Sequence, residues 1–308
     1  MIQKNLRYRL AVKWSDLVRL EIKSHAKINL TLEVLFRRED GYHQLKTVFQ
    51  ELELHDTLFL EELPAGSLEL LCNDTTLPRG EGNLAYRAAL LLKSLYAPDK
   101  GARMELIKKI PVAAGLGGGS SNAAAALKGL NQLWNLSLEA ETLGELGAVL
   151  GSDVPFFIYG GTALAEGRGE QVRPLPCFPP AKVLLAVPAG KALSAAEVYS
   201  ALCLDKIPAR TVSDRFVELL EESLNSGKDF FHELLRLLCN HLESPVFSLE
   251  EDVFFLKEQL LSKGLAALVS GSGPTVFALS RDEKNLREAG KELALQGHRV
   301  IFTETIQK

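Results

Sequence analysis

The stretch Ile110–Leu127, IPVAAGLGGGSSNAAAAL, sets Gly115, Gly117, Gly118 and Gly119 directly against two serines and the alanine run Ala123–Ala126. Glycine lacks a Cβ atom and reaches positive φ, so backbone amides can turn toward a close ligand. Alanine is the best helix former, and apolar residues continue at helical spacing through Leu127, Leu130, Leu133 and Trp134. Ser120, Ser121 and Asn122 are all N-cap types. The join reads as a glycine loop opening a helix of roughly four turns. A helix N-terminus offers free N–H groups and the positive end of a dipole, which suits an anion. Ala102–Ile107 alternates like a strand just before the loop. Strand, loop and helix start together predict a phosphate cradle. It is not a Walker A loop, because no Gly-Lys-Ser/Thr closes it, and no long apolar parallel strand feeds it in the Rossmann manner.

The surrounding composition is ordinary for a globular chain: 308 residues, 46% hydrophobic and 24% charged, long enough for two medium domains. A net charge of −4 argues against nucleic-acid binding driven by counterion release. Cys72, Cys177, Cys203 and Cys239 form no CxxC pair, which predicts free thiols in a reduced compartment and argues against a zinc site. No apolar run approaches the ~20 residues of a membrane span. Residues 1–20 carry Lys4, Arg7, Arg9, Lys13 and Arg19 against Asp16 alone, without an apolar signal core. They read as a basic extension, ragged or docked as a surface helix through Leu10, Trp14 and Val18. No chemistry is assigned to them.

Elsewhere, even spacing of apolar residues predicts strand, short turn and strand over Leu20–Phe36, then strands at Val48–Leu54, Thr57–Leu63 and Ser67–Cys72 in an antiparallel sheet. Helices are expected at Asn83–Leu95, capped by Asn83, and at Leu138–Leu150, closed by Gly151, with a short strand at Thr162–Ala165. The proline-rich Pro174–Pro180 is the best domain boundary. Beyond it come a strand at Val183–Pro188 and helices near Ser194–Leu202, Val212–Leu224, Phe230–Leu242 and Leu249–Lys263. Strands at Ala266–Val269, Val276–Leu279 and Arg299–Thr303, with a helix at Asp282–Leu295, fit a β-α-β-β-α-β arrangement of the ferredoxin kind.

Three further short motifs each keep two readings. Lys27 and Asn29 share a strand face by the period of two, and Lys27 is either an edge lysine or a functional one. Asp153 in GSDVP is either a turn or cap residue or a functional carboxylate, with Val154 expected in extended geometry before Pro155. GSGPT, Gly271–Thr275, is either a tight turn or a presenter of amides to an anion.

In combination, the order KINL, GYH, GLGGGSS, GSDVP, GSG resembles the GHMP small-molecule kinase superfamily, over about Ser24 to Thr305. The resemblance implies an α+β, two-domain GHMP kinase fold, with a ribosomal protein S5 domain 2-like N-terminal domain and a ferredoxin-like C-terminal domain. The implied divisions are a basic extension at 1–20, an N-terminal domain at 21–178 and a C-terminal domain at 179–308. DGYH at Asp40–His43 and PVAAGLGGGSSNAA resemble the branch that phosphorylates a cytidine diphosphate-linked methylerythritol with ATP and Mg2+. By that resemblance Lys27 and Asp153 are the catalytic pair. Pro111, Val112, Ala113, Ala114, Gly115, Leu116, Gly117, Gly118, Gly119, Ser120 and Ser121 wrap the ATP phosphates, while Asn83 and Lys108 lie near the nucleotide base. Asn29, Tyr42, His43 and Tyr199 bind substrate, with Tyr42 and Tyr199 stacking on the cytosine and His43 hydrogen-bonding to it. Magnesium is held mainly by ATP phosphates rather than by protein side chains.

The implied setting is a bacterial cytoplasmic monomer or weak homodimer with a small-molecule substrate and neither nucleic-acid nor membrane partners. His25 departs from the proline or tyrosine of many members. Ala195 stands where many have threonine, which puts one hydroxyl contact to substrate in doubt. A mevalonate- or homoserine-type kinase, or a non-catalytic nucleotide-binding protein on the same fold, are the competing readings.

Overall fold

The computed structural model describes residues 19–189, 193–207 and 211–308. Apart from Arg19 and Leu20, the basic extension lies outside the described residues. Two long antiparallel strands dominate the first half, β1 (Leu20–Arg37) and β2 (His43–Leu63). The sequence breaks each of them in two; the structure keeps each continuous. Register shifts at His25/Ala26, Asn29/Thr31 and Val34/Phe36 absorb the interruptions. A bulge bends a strand without ending its pairing, so interrupted alternation need not mean a turn.

The half continues with β3 (Leu68–Cys72), α1 (Leu84–Tyr96), β4 (Gly101–Ile107), α2 (Gly118–Leu133), α3 (Ala140–Leu150), α4 (Val154–Tyr159), β5 (Thr162–Gly167) and β6 (Gln171–Pro174). The sheet order is β3-β4-β2-β1, with β5 joined to β2 and β6 to β5. Not all of it is antiparallel as the alternation suggested, for β3 and β4 run parallel. The alanine run of α2 explains the packing. Ala123–Ala126 are buried, and α2 lies against both α1 and the sheet strands β1 and β2. Small side chains permit that close approach, and a Cβ on Gly129 would collide with Leu60.

The second half contains β7 (Lys182–Val187), α5 (Ala195–Ser200), α6 (Ser213–Ser226), α7 (Phe231–Leu235), β8 (Cys239–Asn240), α8 (Glu243–Leu249), α9 (Glu251–Ser262), β9 (Ala266–Val269), β10 (Val276–Ser280), α10 (Glu283–Leu295) and β11 (Arg299–Glu304). Its sheet runs β11-β7-β10-β9, all antiparallel, which is the expected ferredoxin-type order. The helix expected over 230–242 is wrong past Leu235. Cys239–Asn240 instead pairs in parallel with Thr31 and Leu32 of β1. The run of leucines has helical spacing, but the open edge of β1 offers backbone partners, and tertiary pairing overrides propensity. A shared core joins the halves: Ile28, Leu30, Ala114 and Leu116 pack with Phe178, Val183 and Phe216. Among the described residues, no helix is long and apolar enough to cross a membrane.

Candidate active site

The glycine loop starts α2 earlier than its serines suggested. Gly117 is the N-cap, left-handed at φ 70, and no side chain caps the helix. Ser120, Ser121 and Asn122 therefore stand inside the helix as its third to fifth residues, and the N–H groups ahead of Ser121 are left for another acceptor. Two of the glycines are required by close approach. A Cβ on Gly115 (φ +74) would collide with the Ser270 carbonyl, and one on Gly117 would meet the Phe157 ring and Lys27 Cγ. A cavity of about 350 Å³ opens over this loop, lined by Asn83, Lys108, Pro111–Ser120 and Asn122. Ala113 holds a left-handed φ of 53 at its mouth, and Val112 is 47% exposed there.

A buried network supports the loop from below. Asp56, fully buried, accepts from Lys109 N at 2.6 Å, Ile110 N at 2.9 Å, Asn122 Nδ2 at 2.9 Å and the Lys108 ammonium. Lys108 also donates to Asn122 Oδ1 at 3.0 Å, and Asn122 Nδ2 donates to Ser24 Oγ at 2.8 Å. Ser24 Oγ in turn donates to Ser121 Oγ at 2.8 Å. Asn83 spends its amide on structure: Oδ1 caps α1 by accepting from Ala85 N at 3.0 Å, and Nδ2 donates to Pro78 O at 3.0 Å.

Lys27 lies on the other side of the loop. Its backbone N donates to Leu116 O at 3.0 Å, and its ammonium donates to Asn29 Oδ1 at 2.7 Å. Asn29 Nδ2 donates to Thr47 Oγ1 at 2.9 Å, which fixes the amide's orientation. Asp153 Oδ2 is 3.7 Å from Lys27 Nζ. Burial lowers the Lys27 pKa from the ordinary lysine value, and the Asp153 charge opposes that shift. Val154 is not extended as expected: it is the first residue of α4, with Asp153 as N-cap residue. Pro155 falls in the first helical turn, where its missing N–H costs nothing. The Asp153 side chain makes no capping bond, so its carboxylate stays available.

A larger cleft, about 870 Å³, opens from this pair toward the second half. Lys27, Asn29, Asp153, Tyr42, His43 and Tyr199 all line it, as do Gly115, Gly117 and Gly271. The aromatic groups are not arranged as an open pair of tyrosines. His43 stacks on Tyr199 at 5.2 Å between centroids and 20°, while Tyr42 is 54% exposed with the Arg168 guanidinium 4.9 Å from its ring centroid. Burial, then the Arg37 charge, lowers the His43 pKa, which favours the neutral imidazole. Burial and the Asp153 charge push the Tyr199 phenol up. Ser194 forms a capping box with Glu197 that starts α5, which carries Tyr199; Ala195 lines the cleft without a hydroxyl.

The sequence reading missed several residues that hold this arrangement. Asn240 Nδ2 donates to Val269 O and Gly271 O, each at 2.8 Å, and so fastens the GSG turn beside Lys27. Ser270 Oγ donates to Gly115 O at 3.0 Å, joining that turn to the glycine loop. Arg37 and Arg168 line the larger cleft. An isolated aspartate inside a strand, Asp56, was the one available signal for the supporting network.

Comparison with known proteins adds to this geometry. Residues 83–161 match the profile described as "GHMP kinases N terminal domain", and residues 216–299 match "GHMP kinases C terminal". The chain is 44% identical over 271 residues to 4-diphosphocytidyl-2-C-methyl-D-erythritol kinase of Geobacillus sp. (strain WCH70), covering 88% of this chain and 91% of the relative. A crystal structure of 4-(cytidine 5′-diphospho)-2C-methyl-D-erythritol kinase superposes with a TM-score of 0.76 at 33% identity, covering 94% of this chain and 100% of the other. Homoserine kinase from Cytophaga hutchinsonii shares the fold at a TM-score of 0.67 and 19% identity, over 93% of this chain and 96% of the other.

Proposed function

The chain belongs to the 4-diphosphocytidyl-2-C-methyl-D-erythritol kinases of the GHMP superfamily, and from that premise we propose how its residues divide the work. It is a small-molecule kinase. The reaction is ATP-dependent phosphorylation of the 2-hydroxyl of 4-(cytidine 5′-diphospho)-2-C-methyl-D-erythritol, on the non-mevalonate route to isoprenoid precursors. One observation carries the assignment of roles. Gly115 and Gly117 line both clefts, and the Lys27–Asp153 pair, 3.7 Å apart, stands in the larger cleft beside them. An alcohol entering from the larger cleft therefore meets a phosphate held by the loop.

The loop fits a triphosphate on its own evidence: crowded glycines and a helix start without a side-chain cap. Bound ATP supplies the transferable phosphoryl group, with Mg2+ carried mainly on its phosphates. Among the described residues the Ser120 hydroxyl has no hydrogen-bond partner, and it stands at the loop for either. Asp153 takes the proton of the attacking hydroxyl. Lys27, oriented by Asn29, holds Asp153 and offsets negative charge at the transfer point. Tyr42 and Tyr199 stack on the cytosine after His43 gives up its place on Tyr199, and neutral His43 hydrogen-bonds to the base edge. Arg37 and Arg168 bring positive charge into the same cleft, where a diphosphate linker needs it. The bacterial relatives support a bacterial cytoplasm as its compartment.

The test is ADP release with Mg2+ and ATP, offering the cytidine diphosphate substrate beside mevalonate, homoserine and galactose. Turnover of the first alone is expected. Phosphorylation of mevalonate with the cytidine compound untouched would overturn the substrate assignment.

A further inference from the structure

Away from the glycine loop, three chemistry-bearing side chains converge at the first bulge of the long hairpin. His25 of β1 and His55 of β2 are register partners, with ring centroids 5.2 Å apart. The next register pair is Ala26 with Leu52, so residues 53 and 54 are the unmatched arch of the bulge. Glu53 and His55 share a strand face, and one ligand atom each of His25, Glu53 and His55 lies within 4.8 Å of the others.

The hydrogen bonds set the imidazoles. His25 Nδ1 lies 2.9 Å from Leu52 O, and His55 Nδ1 lies 2.7 Å from Glu53 O. A carbonyl oxygen only accepts, so both Nδ1 atoms carry the proton and both Nε2 atoms carry a free lone pair. Among the described residues, neither Nε2 nor the Glu53 carboxylate has a hydrogen-bond or ion-pair partner. Anchoring one ring nitrogen on a backbone carbonyl, which leaves the other as the donor, is how proteins hold metal-binding histidines.

We propose that His25, Glu53 and His55 bind one divalent transition-metal ion of the zinc class, with water as the fourth ligand, and that the ion clamps β1 to β2 just ahead of Lys27. The donor set decides the class. Two imidazoles and one carboxylate suit zinc, nickel or cobalt, whereas Mg2+ and Ca2+ prefer oxygen ligands. Tetrahedral bonds of roughly 2.0–2.2 Å need ligand atoms about 3.4 Å apart, so the cluster contracts by ~1 Å on binding. Glu53 is exposed and both histidines are half-buried, so side-chain rotation supplies that movement. Cysteine spacing had argued against zinc; the site is built from histidines that lie 30 positions apart and meet only through the strand register.

The experiment titrates full-length protein with Zn2+, and separately with Co2+, in excess Mg2+. It reads stoichiometry, affinity, the tetrahedral Co2+ visible band and the unfolding temperature. One equivalent is expected, with a higher unfolding temperature because the ion binds only the folded hairpin. H55Q should weaken binding by at least about tenfold and abolish the Co2+ band. E53Q, at an exposed position, should weaken it as well without disturbing the fold. A C177S/C203S double variant should bind as wild type. Undiminished affinity in both H55Q and E53Q would overturn the proposal. So would transfer of the loss to the cysteine variant, or displacement of zinc by Mg2+.

Discussion

Lys27 and Lys108 are both buried lysines beside the glycine loop, and each faces an aspartate. Lys108 and Asp56 have side chains 7% and 0% exposed, and every oxygen of Asp56 is taken up by hydrogen bonds. Lys27 is 4% exposed, but its aspartate is 33% exposed, and the 3.7 Å gap is too long for a hydrogen bond. With every oxygen occupied, the buried Asp56 carboxylate has no capacity left to take a proton, and removing one partner of the pair strands a charge. A loose, half-open pair with a destabilised ammonium keeps free capacity for a proton and an incoming hydroxyl. The same residue types thus make a foundation in one place and the proposed reaction centre in the other, and satisfaction of hydrogen bonds is what separates them.

The sharpest contrast should come from D153N. Turnover at saturating substrates should fall by about 10²- to 10⁴-fold, ~3–5 kcal/mol of barrier, with urea denaturation and affinity for a non-hydrolysable ATP analogue nearly unchanged. A loss under tenfold would remove Asp153 as the base. D56A should do the reverse. It leaves the Lys108 charge without its counterion and the Lys109 and Ile110 amides without their acceptor, and should cost about 3–5 kcal/mol of stability by urea denaturation. A folded D56A protein of normal stability and low turnover would erase the distinction between the pairs.

Smaller effects refine the picture of the larger cleft. Y42A or Y199A should raise the KM for the cytidine substrate by an amount worth ~1–3 kcal/mol and spare the KM for ATP. Equal losses toward both substrates would place the rings in the wrong pocket. Acid should also be felt through His241, whose pKa burial holds below 6.5 while Nδ1 accepts from Val34 N at 3.1 Å. Its unfolded form binds a proton below pH 6.5 and its folded form resists, so stability falls as pH drops from 6.5 toward the folded pKa. The slope from this group cannot exceed about 1.4 kcal/mol per pH unit, and H241N should flatten it; an unchanged slope would assign the acid sensitivity to other groups. Deleting residues 2–18 should have the least effect, with kcat/KM within a few-fold of the full chain. A collapse of activity with normal circular dichroism would bring the extension into the site.

Local signals served well where one residue type had one physical use. The positions of α1 and α3, the body of α2, the Asn83 cap and the four strands of the second sheet follow from periodicity and local signals. They served badly where pairing across the chain decided the outcome. The bulged continuity of β1 and β2 broke the alternation, and β8 hid inside a leucine run that has helical spacing. Asn240 could not be recognised as the fastener of the GSG turn while its segment read as helix.

The sequence alone determined that a glycine loop meets a helix start, because glycine and alanine act through their own backbone preferences. It also determined the ordered motif set that places the chain in its family. Only the tertiary structure decided that Gly117 rather than a serine opens α2, that Asp56 is the loop's buried support, and that Asp153 makes no capping bond and stands 3.7 Å from the Lys27 ammonium. Those outcomes depend on desolvation and on which hydrogen-bond partners are already occupied. Both are properties of residues far apart in the chain that no local pattern encodes.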